Sequence, residues 1–247
     1  FYWVEEDFVA DLHTESRLLE KEVNYVLSSV EQSLHQAEQL STTLSFDRTI
    51  LALAKNAAKQ TIDLDALDLA DRQSYVLNLP GAATVNTLFA QLAQHVETNQ
   101  IFAQDKHGYC IGTSNSELKN SCLGYNYFNR DYFQKAKQTG SGRQFAIGKV
   151  VPTPSFFFST AITDQGVFLG AVVVRQTVDQ IIKIRSHQQL MVAMTEKNGI
   201  VLSSNRQELV FQQMPIDAQS LPSKGDIQKV FQRDTLPVIP VQMMPSP

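Results

Sequence analysis

The sequence predicts an α+β fold in which one long helix precedes antiparallel, turn-connected strands. Three observations predict it: helical spacing of apolar residues from Leu12 to Leu44, five short β-type segments between residues 100 and 175, and a repeat of one hairpin near residue 200. With 247 residues and 43% hydrophobic composition, the chain is long enough for two domains. We therefore expect a helix at 1–46, a first domain at 47–180 and a smaller one at 181–247.

The predicted N-terminal helix is amphipathic and contains neither Gly nor Pro. Its apolar positions follow three- and four-residue steps: Leu12, Leu19, Val23, Val26, Val30, Leu34, Ala37, Leu40 and Leu44. At about 1.5 Å per residue it reaches some 50 Å, which is longer than a small domain is wide. Part of it must therefore pack against something beyond its own domain. Both a coiled-coil seam without signalling meaning and a stalk that carries a signal to a membrane fit this pattern.

Two more helices are expected before the first strand. Ser45 or Asp47 is placed to cap a helix over 49–60, and a polar, Asp-rich stretch follows at 63–72. After the break at Pro80-Gly81, apolar spacing predicts another helix over 85–96.

The sheet is expected to be antiparallel because short turns connect its strands. Its five strands are predicted at 100–104, 109–113, 143–149, 156–163 and 167–175. Gly108 supplies the positive φ that the first hairpin turn needs. A short helix over 130–138, ended by Gly140, separates the second strand from the third.

A smaller copy of the hairpin follows the sheet. The segment Ile101–Gly108 matches Val192–Gly199, and each is followed by an apolar strand. A helix at 177–185 and strands at 189–195 and 200–204 are expected here, which suggests tandem related domains. The stretch beyond Phe211 gives no clear secondary-structure signal.

Composition and motifs exclude several function classes. A net charge of -4 argues against a nucleic-acid partner. The five histidines lack paired metal-ligand spacing, and no catalytic or nucleotide-binding motif occurs. Four aspartates between 63 and 71 match a calcium loop only loosely, and a solvated acidic face explains them better. We therefore predict no catalytic residue, no metal and no cofactor.

The sequence leaves two questions of environment open. No apolar run is long enough to span a membrane and no signal-peptide pattern occurs, so the chain as given is expected to be soluble. The aromatic start at residues 1–4 fits either the last turn of a membrane helix or a sticky terminus. Cys110 and Cys122 fit either a disulfide in an oxidising compartment or two small core residues.

Several segments, taken in order, carry a family resemblance. They lie at 86–88, 104–115, 124–136, 145–148, 157–159 and 170–175. The most specific is Asn126-Tyr127-x-x-Arg130-x-Tyr132-Phe133 followed by Phe145-Ala146-x-Gly148. Together they resemble the tandem PAS-like (double Cache) periplasmic sensor of C4-dicarboxylate sensor histidine kinases, over about Leu12 to Ser204. The resemblance implies a membrane-distal ligand-binding domain, a smaller membrane-proximal domain and flanking transmembrane helices that lie outside this chain.

The resemblance also implies a set of ligand contacts. In that family an Arg, a Tyr three residues before it, a pair of hydroxyl residues and a strand-ending Lys hold the ligand's carboxylates. Carried over, these become Tyr127, Arg130 and Arg175. Lys149 and Val151 stand where hydroxyl residues are expected, and Arg175 replaces the Lys, which leaves room for an anion other than succinate or malate.

The residue types support an anion site independently of the resemblance. A guanidinium grips a carboxylate with two parallel hydrogen bonds and stays charged at physiological pH. The candidate ligand-binding residues are Tyr127, Arg130, Lys149, Phe157, Ser159 and Arg175. The simpler alternatives are an Arg130 that is solvated or paired with Asp131, strand-end basic residues at the surface, and phenylalanines that only pack.

These observations predict the extracytoplasmic sensor domain of a bacterial transmembrane signalling receptor, either a sensor histidine kinase or a diguanylate cyclase. It is expected to lie in the periplasm at the inner membrane, to bind a small anion, with a carboxylate favoured, and to form a homodimer through its N-terminal helix. It is not expected to be an enzyme. The alternatives are a secreted enzyme with an unrecognised site and a helix-mediated assembly module.

Overall fold

The fold is α+β, as predicted. The computed structural model describes residues 2–96, 98–178, 193–195, 199–204, 206–214, 224–231 and 233–239, with only the backbone at the amino-terminal end of the first helix. Within these ranges, helices cover both faces of a five-stranded antiparallel sheet, and a separate two-stranded hairpin follows.

The strands of the large sheet and the helices predicted at 49–60, 85–96 and 130–138 agree with the structure to within a few residues, whereas the helices at 69–77 and 224–231 were not predicted. The helices are α1 Tyr2–Ser45, α2 Arg48–Ala58, α3 Leu69–Leu77, α4 Ala82–His95, α5 Asp131–Thr139 and α6 Lys224–Phe231. The strands are β1 Gln100–Asp105, β2 Cys110–Thr113, β3 Ser141–Ile147, β4 Pro154–Asp164, β5 Val167–Thr177, β6 Ala193–Thr195 and β7 Val201–Ser204. Two 3-10 turns lie at Leu64–Ala66 and Gln207–Leu209.

Helix α1 is even longer than predicted, because its 44 residues correspond to about 66 Å. Its carboxyl-terminal part packs on the sheet, where buried Ala37 lies with Phe158 and Val174. Farther toward the amino terminus, Val23 is 56% exposed. The apolar stripe thus continues past the surface that the sheet covers, and dimerisation through it remains a prediction.

Aspartates begin the next elements of the chain. The carboxylate of Asp47 accepts hydrogen bonds from the backbone N–H groups of Thr49 and Ile50, so Asp47 and not Ser45 caps α2. Asp63 and Asp68 cap the first 3-10 turn and helix α3 in the same way. The Asp-rich stretch therefore includes a helix that the sequence did not predict.

The sheet has the strand order β2-β1-β5-β4-β3, and every neighbouring pair is antiparallel. Because side chains alternate along each strand, the sheet has two distinct faces. Phe158 and Val174 lie on the face that packs against α1, here called the α1 face. Phe157 and Arg175 are cross-strand partners on the opposite face, here called the α5 face because α5 packs there.

The second hairpin forms as predicted, with β6 antiparallel to β7. Buried Ile200, Leu202 and Phe231 form a small core with Val178, and Phe145 and Phe156 of the large sheet pack against it. The predicted helix at 177–185 lies largely outside the described residues, as does most of the turn before Gly199. The boundaries at 47–180 and 181–247 remain an interpretation.

Candidate functional site

The segment that carries the predicted anion-binding residues is fixed covalently to the sheet. Cys110 of β2 and Cys122 are joined by a disulfide. Two backbone hydrogen bonds, each 3.0 Å long, also hold the segment against β2. Cys110 N–H donates to the Tyr125 carbonyl, and Gly124 N–H donates to the Cys110 carbonyl. Of the two alternatives left open by the sequence, the structure therefore contains the disulfide.

The hairpin turn then places Tyr127. Its backbone N–H donates to the Gly108 carbonyl over 2.8 Å. Gly108 has a φ of +85°, and a Cβ added there would lie 2.6 Å from the backbone nitrogen of Phe128. Only glycine therefore lets the turn and the segment approach this closely.

Arg130 stands at the N-cap position of α5, and its side chain turns back toward the sheet. The side chain is half-buried, and its Nη2 donates to the carbonyl oxygen of Ile147 over 3.2 Å. The guanidinium thus lies at the end of β3, where the connection to β4 begins.

Arg175 reaches the same connection from β5. It is only 7% exposed; its Nε donates to the Ser155 hydroxyl over 3.0 Å and its Nη2 to the Val151 carbonyl over 3.2 Å. Among the described residues, the ion pair is Lys55 with Asp164, at 2.8 Å, and no carboxylate pairs with Arg175. Burial lowers the pKa of Arg175, against the opposing influence of two nearby tyrosines. Within the part of the chain that the structure describes, the site therefore holds a buried cation without a carboxylate partner.

Tyr127 and Tyr132 are the tyrosines that both arginines influence. Burial raises the pKa of each phenol, while the charges of Arg130 and Arg175 act in the opposite direction. Both hydroxyls are therefore protonated and can donate to an anion. The two guanidiniums also meet at the end of β3, because Arg130 Nη2 bonds to the Ile147 carbonyl and a Cβ added at Gly148 would lie 2.8 Å from Arg175 Nη2.

Lys149 adds a third positive charge at the rim. Its side chain is exposed, its Nζ donates to the Asn126 carbonyl over 2.9 Å, and it lies 5.7 Å from the centre of the Tyr127 ring. Its pKa is lowered by partial burial and by the charges of Arg130 and Arg72.

An open cavity of about 920 Å³ lies beside this group. Tyr127, Arg130 and Lys149 form part of its wall, together with Gln144. Another part of the wall is acidic and contains Asp63, Asp65 and Asp105. Arg175 does not line the cavity, because the β3–β4 connection covers it.

Phe157 and Ser159 have supporting positions. The Phe157 ring stacks on Tyr132 with 5.2 Å between ring centres, and the Arg175 guanidinium lies 5.8 Å from the Phe157 ring centre. The Ser159 hydroxyl is within donor distance of the carbonyls of Tyr132, at 2.8 Å, and Gly142, at 3.1 Å. Neither side chain lines the cavity, so their ligand contacts remain predictions.

Sequence reasoning missed Ser155, Gln144 and Tyr132 as members of this site. Ser155 binds Arg175, Gln144 lines the cavity, and the Gln144 amide oxygen accepts from the Tyr132 N–H over 3.4 Å. Strand alternation was the available signal for Ser155, because it shares a face with Phe157 and Ser159.

Two further features of the described residues bear on function. Within them, no group of three or more His, Cys, Asp or Glu side chains is arranged to hold a metal ion. None of their helices combines the length and the apolar character needed to cross a membrane.

The long helix, the antiparallel sheet and the helices on both of its faces define a Cache-type, PAS-like sensor fold. The sensor domain of the histidine kinase DctB from V. cholerae has this fold, with a TM-score of 0.58 and 17% identity, covering 89% of this chain and 81% of that one. The E. coli DcuS sensor domain aligns with a TM-score of 0.46 and 11% identity, covering 62% of this chain and 95% of that one.

In sequence, the chain is similar to the C4-dicarboxylate transport sensor protein DctB of Rhizobium meliloti (strain 1021). The two are 28% identical over 123 residues, which is 50% of this chain and 20% of that protein's length. No protein-family model matches the chain. The predicted resemblance to C4-dicarboxylate sensors is thereby confirmed.

Proposed function

We propose that this chain is the extracytoplasmic input domain of a bacterial transmembrane signalling receptor and that it binds a small carboxylate without chemically converting it. The observation that carries the proposal is the buried Arg175 guanidinium, which has no carboxylate partner among the described residues. A buried charge without a counter-charge is costly, so proteins retain one mainly where a ligand or a mechanism uses it.

The hydrogen bonds of Arg175 leave capacity for a ligand. A guanidinium has five N–H donors, and the described bonds to Ser155 and Val151 use two of them. Neutral acceptors of this kind bind a guanidinium less strongly than a carboxylate does. A carboxylate can therefore displace the Val151 carbonyl and be held jointly by Arg175, Arg130 and the Tyr127 hydroxyl, with Lys149 at the rim. Phe157 and Ser159 would then support the pocket from the sheet.

The relatives and the disulfide support the remainder of the proposal. The R. meliloti relative is named a C4-dicarboxylate transport sensor protein. The Cys110–Cys122 disulfide suits an oxidising compartment such as the periplasm, with membrane segments elsewhere in the full receptor. Ligand binding would shift an equilibrium of α1, which packs on the other face of the same strands and would pass the change to a dimeric partner and a cytoplasmic output domain.

Thermal shift and calorimetry with millimolar carboxylates test this function. A ligand at about 100 times its dissociation constant adds about 2.7 kcal/mol of stability. We expect Arg175→Met to raise the Kd of the best ligand at least about tenfold, since charge-assisted hydrogen bonds are lost. Arg143→Met on β3, where the side chain is exposed, is the matched control and keeps the wild-type Kd.

A second variant keeps the proposal testable if Arg175→Met does not fold. Arg130 is half-buried, and Arg130→Met should weaken binding with little change in the circular dichroism spectrum. The proposal fails if no carboxylate stabilises the wild-type domain, or if both variants bind as well as the Arg143 control.

A further inference from the structure

A buried amide oxygen on the α5 face has no hydrogen-bond partner among the described residues. Among the residues that the structure describes, three buried side-chain atoms have none: Tyr75 Oη, Gln104 Oε1 and Gln176 Oε1. Tyr75 belongs to α3, and Gln176 follows Arg175 on β5 and so points to the α1 face. Gln104 alone of the three shares the α5 face with Arg175.

Gln104 is fully buried, and its amide uses little of its hydrogen-bonding capacity within the described residues. Its residue exposure is 0%, and its Nε2 donates to the Tyr132 hydroxyl over 3.5 Å, which is long for a hydrogen bond. An amide offers two N–H donors and an oxygen that accepts twice, so most of this capacity is unused whichever way the amide is turned. Such a group is costly inside a core and indicates that something else binds it.

Tyr132 links Gln104 to the proposed anion site. Its ring stacks on Phe157, which lies directly across from Arg175, and its hydroxyl reaches Gln104. Gln100 is the other cross-strand partner of Arg175, and Gln104 lies four residues from it along β1. The backbones of Gln100 and Gln104 are therefore about 13 Å apart. A ligand held by Arg175 would therefore extend beside Tyr132 toward the Gln104 amide.

We propose that Gln104 determines which carboxylate the site accepts, because its amide oxygen accepts a hydrogen bond from a hydroxyl or ammonium group of the ligand. The favoured ligands are thus carboxylates that carry such a donor, and unsubstituted carboxylates bind less well. This inference rests on the proposed function, since the arginines must first hold the carboxylate. Hydroxyl and ammonium share the required chemistry, and matched ligands distinguish them.

Two series of ligands test the inference by calorimetry. In one, succinate is compared with malate and aspartate, where the donor is next to a carboxylate. In the other, butyrate is compared with 4-hydroxybutyrate and 4-aminobutyrate, where the donor is at the far end. We expect wild type to bind a donor-bearing member of at least one series about tenfold or more tightly than its parent, the size of one buried hydrogen bond.

Gln104→Met removes the amide and keeps the shape of the side chain. We expect this variant to lose the preference, while its Kd for the parent compound stays within about twofold of wild type. Its melting temperature without ligand should be unchanged or higher, because an unpaired buried group has been removed. A preference for donors that persists in Gln104→Met, or a wild type that binds parents and substituted ligands equally, would overturn the inference.

Gln100→Met is the matched control on the same strand and face. The Gln100 amide donates to Thr113 Oγ1 over 3.0 Å and to Asn115 Oδ1 over 2.9 Å, so its loss should lower the melting temperature and leave the preference intact. If Gln100→Met also loses the preference for donor-bearing ligands, that preference depends on general packing, and the role of Gln104 is overturned. If no member of either series binds the wild-type domain, the proposed carboxylate function itself fails, which is a separate outcome from parent binding without discrimination.

Discussion

The hairpin β1–β2 and the hairpin β6–β7 share several backbone features but are stabilised in different ways. Their registers shift at corresponding places, between Ala103 and Gln104 in the first and between Met194 and Thr195 in the second. Each turn ends in a glycine with positive φ, +85° at Gly108 and +79° at Gly199. The repeat recognised in the sequence is therefore a repeat of a whole structural unit.

In each unit, the segment that follows the hairpin also forms backbone hydrogen bonds with it. Cys110 N–H donates to the Tyr125 carbonyl, and Val201 N–H donates to the Gln212 carbonyl. One position farther back, single bridges pair Tyr109 with Asn126 and Ile200 with Gln213. The same backbone hydrogen bonds therefore form in both units although most of the side chains differ. The backbone pattern does not depend on the side chains that each unit carries.

The side chains at three matched positions show what differs. Cys110 and Cys122 form a disulfide in the first unit, whereas buried Val201 and Leu209 share an apolar cluster with Ile239 in the second. In the first unit the Tyr127 N–H donates to the Gly108 carbonyl, and in the second the Met214 N–H donates to the Gly199 carbonyl, so Met214 stands where Tyr127 does. In its described residues the second unit thus keeps backbone features of the first without the groups proposed to hold an anion, which favours the first as the ligand-binding unit.

The largest effect is expected when the close approach at the first turn is blocked. Gly108→Ala adds a Cβ 2.6 Å from a backbone nitrogen in a left-handed conformation, so we expect a loss of at least about 3 kcal/mol in urea denaturation. Gly140→Ala is the control, because its φ is also positive, +89°, but its Cβ meets no atom within 4 Å. That control should cost only about 1 kcal/mol, and equal losses at the two sites would contradict the role assigned to the turn.

Removal of the disulfide is expected to have the next largest effect. The disulfide joins residues with a sequence separation of 12, so Cys110→Ala combined with Cys122→Ala should cost about 3 kcal/mol of unfolding free energy. It should also weaken carboxylate binding, since the segment that carries Tyr127 is then held only by hydrogen bonds. Calorimetry and urea denaturation measure the two effects.

Leu209→Ala provides the corresponding change in the second unit. We expect it to cost about 2 kcal/mol, because a buried side chain is truncated, and to leave carboxylate binding and sensitivity to reductant unchanged. If Leu209→Ala weakens binding as much as loss of the disulfide does, the two units do not divide the functions as proposed.

Periodicity and turn residues were enough to predict most of the fold. The helical spacing in α1, the glycines at 108 and 140, and the strands around 156–175 are local signals that tertiary packing reinforces. Helix α3 was missed because its short, polar sequence is specified mainly by the Asp68 cap and by contacts with β2 and α4.

The site was less predictable because its members meet only through tertiary structure. Residue type and resemblance selected Arg130 and Arg175, but the connection that covers Arg175 is placed by long-range pairing of β3 with β4. Gln104 has a strand position that the sequence predicts, yet nothing in the sequence shows that its amide oxygen has no partner among the described residues. Such information depends on distances between side chains that are far apart in the chain.

The smallest effect concerns the charge at the first turn. The Asp105 carboxylate accepts hydrogen bonds from the N–H groups of His107 and Tyr109, while burial raises its pKa above the ordinary 3.8. The folded state therefore binds the proton more tightly than the unfolded state, and stability falls as the pH rises through the raised pKa. Asp105→Asn keeps an acceptor oxygen and removes the charge.

We expect Asp105→Asn to be more stable than wild type at pH 7, by an amount on the order of 1 kcal/mol. The difference should shrink as the pH falls and reach its minimum below 3.8, where the wild-type carboxyl is protonated in both states. Urea denaturation at a series of pH values measures it. A variant that is less stable than wild type at pH 7 would show that the turn needs the charge itself, and the first hairpin would then differ from the second in electrostatics as well as in its disulfide.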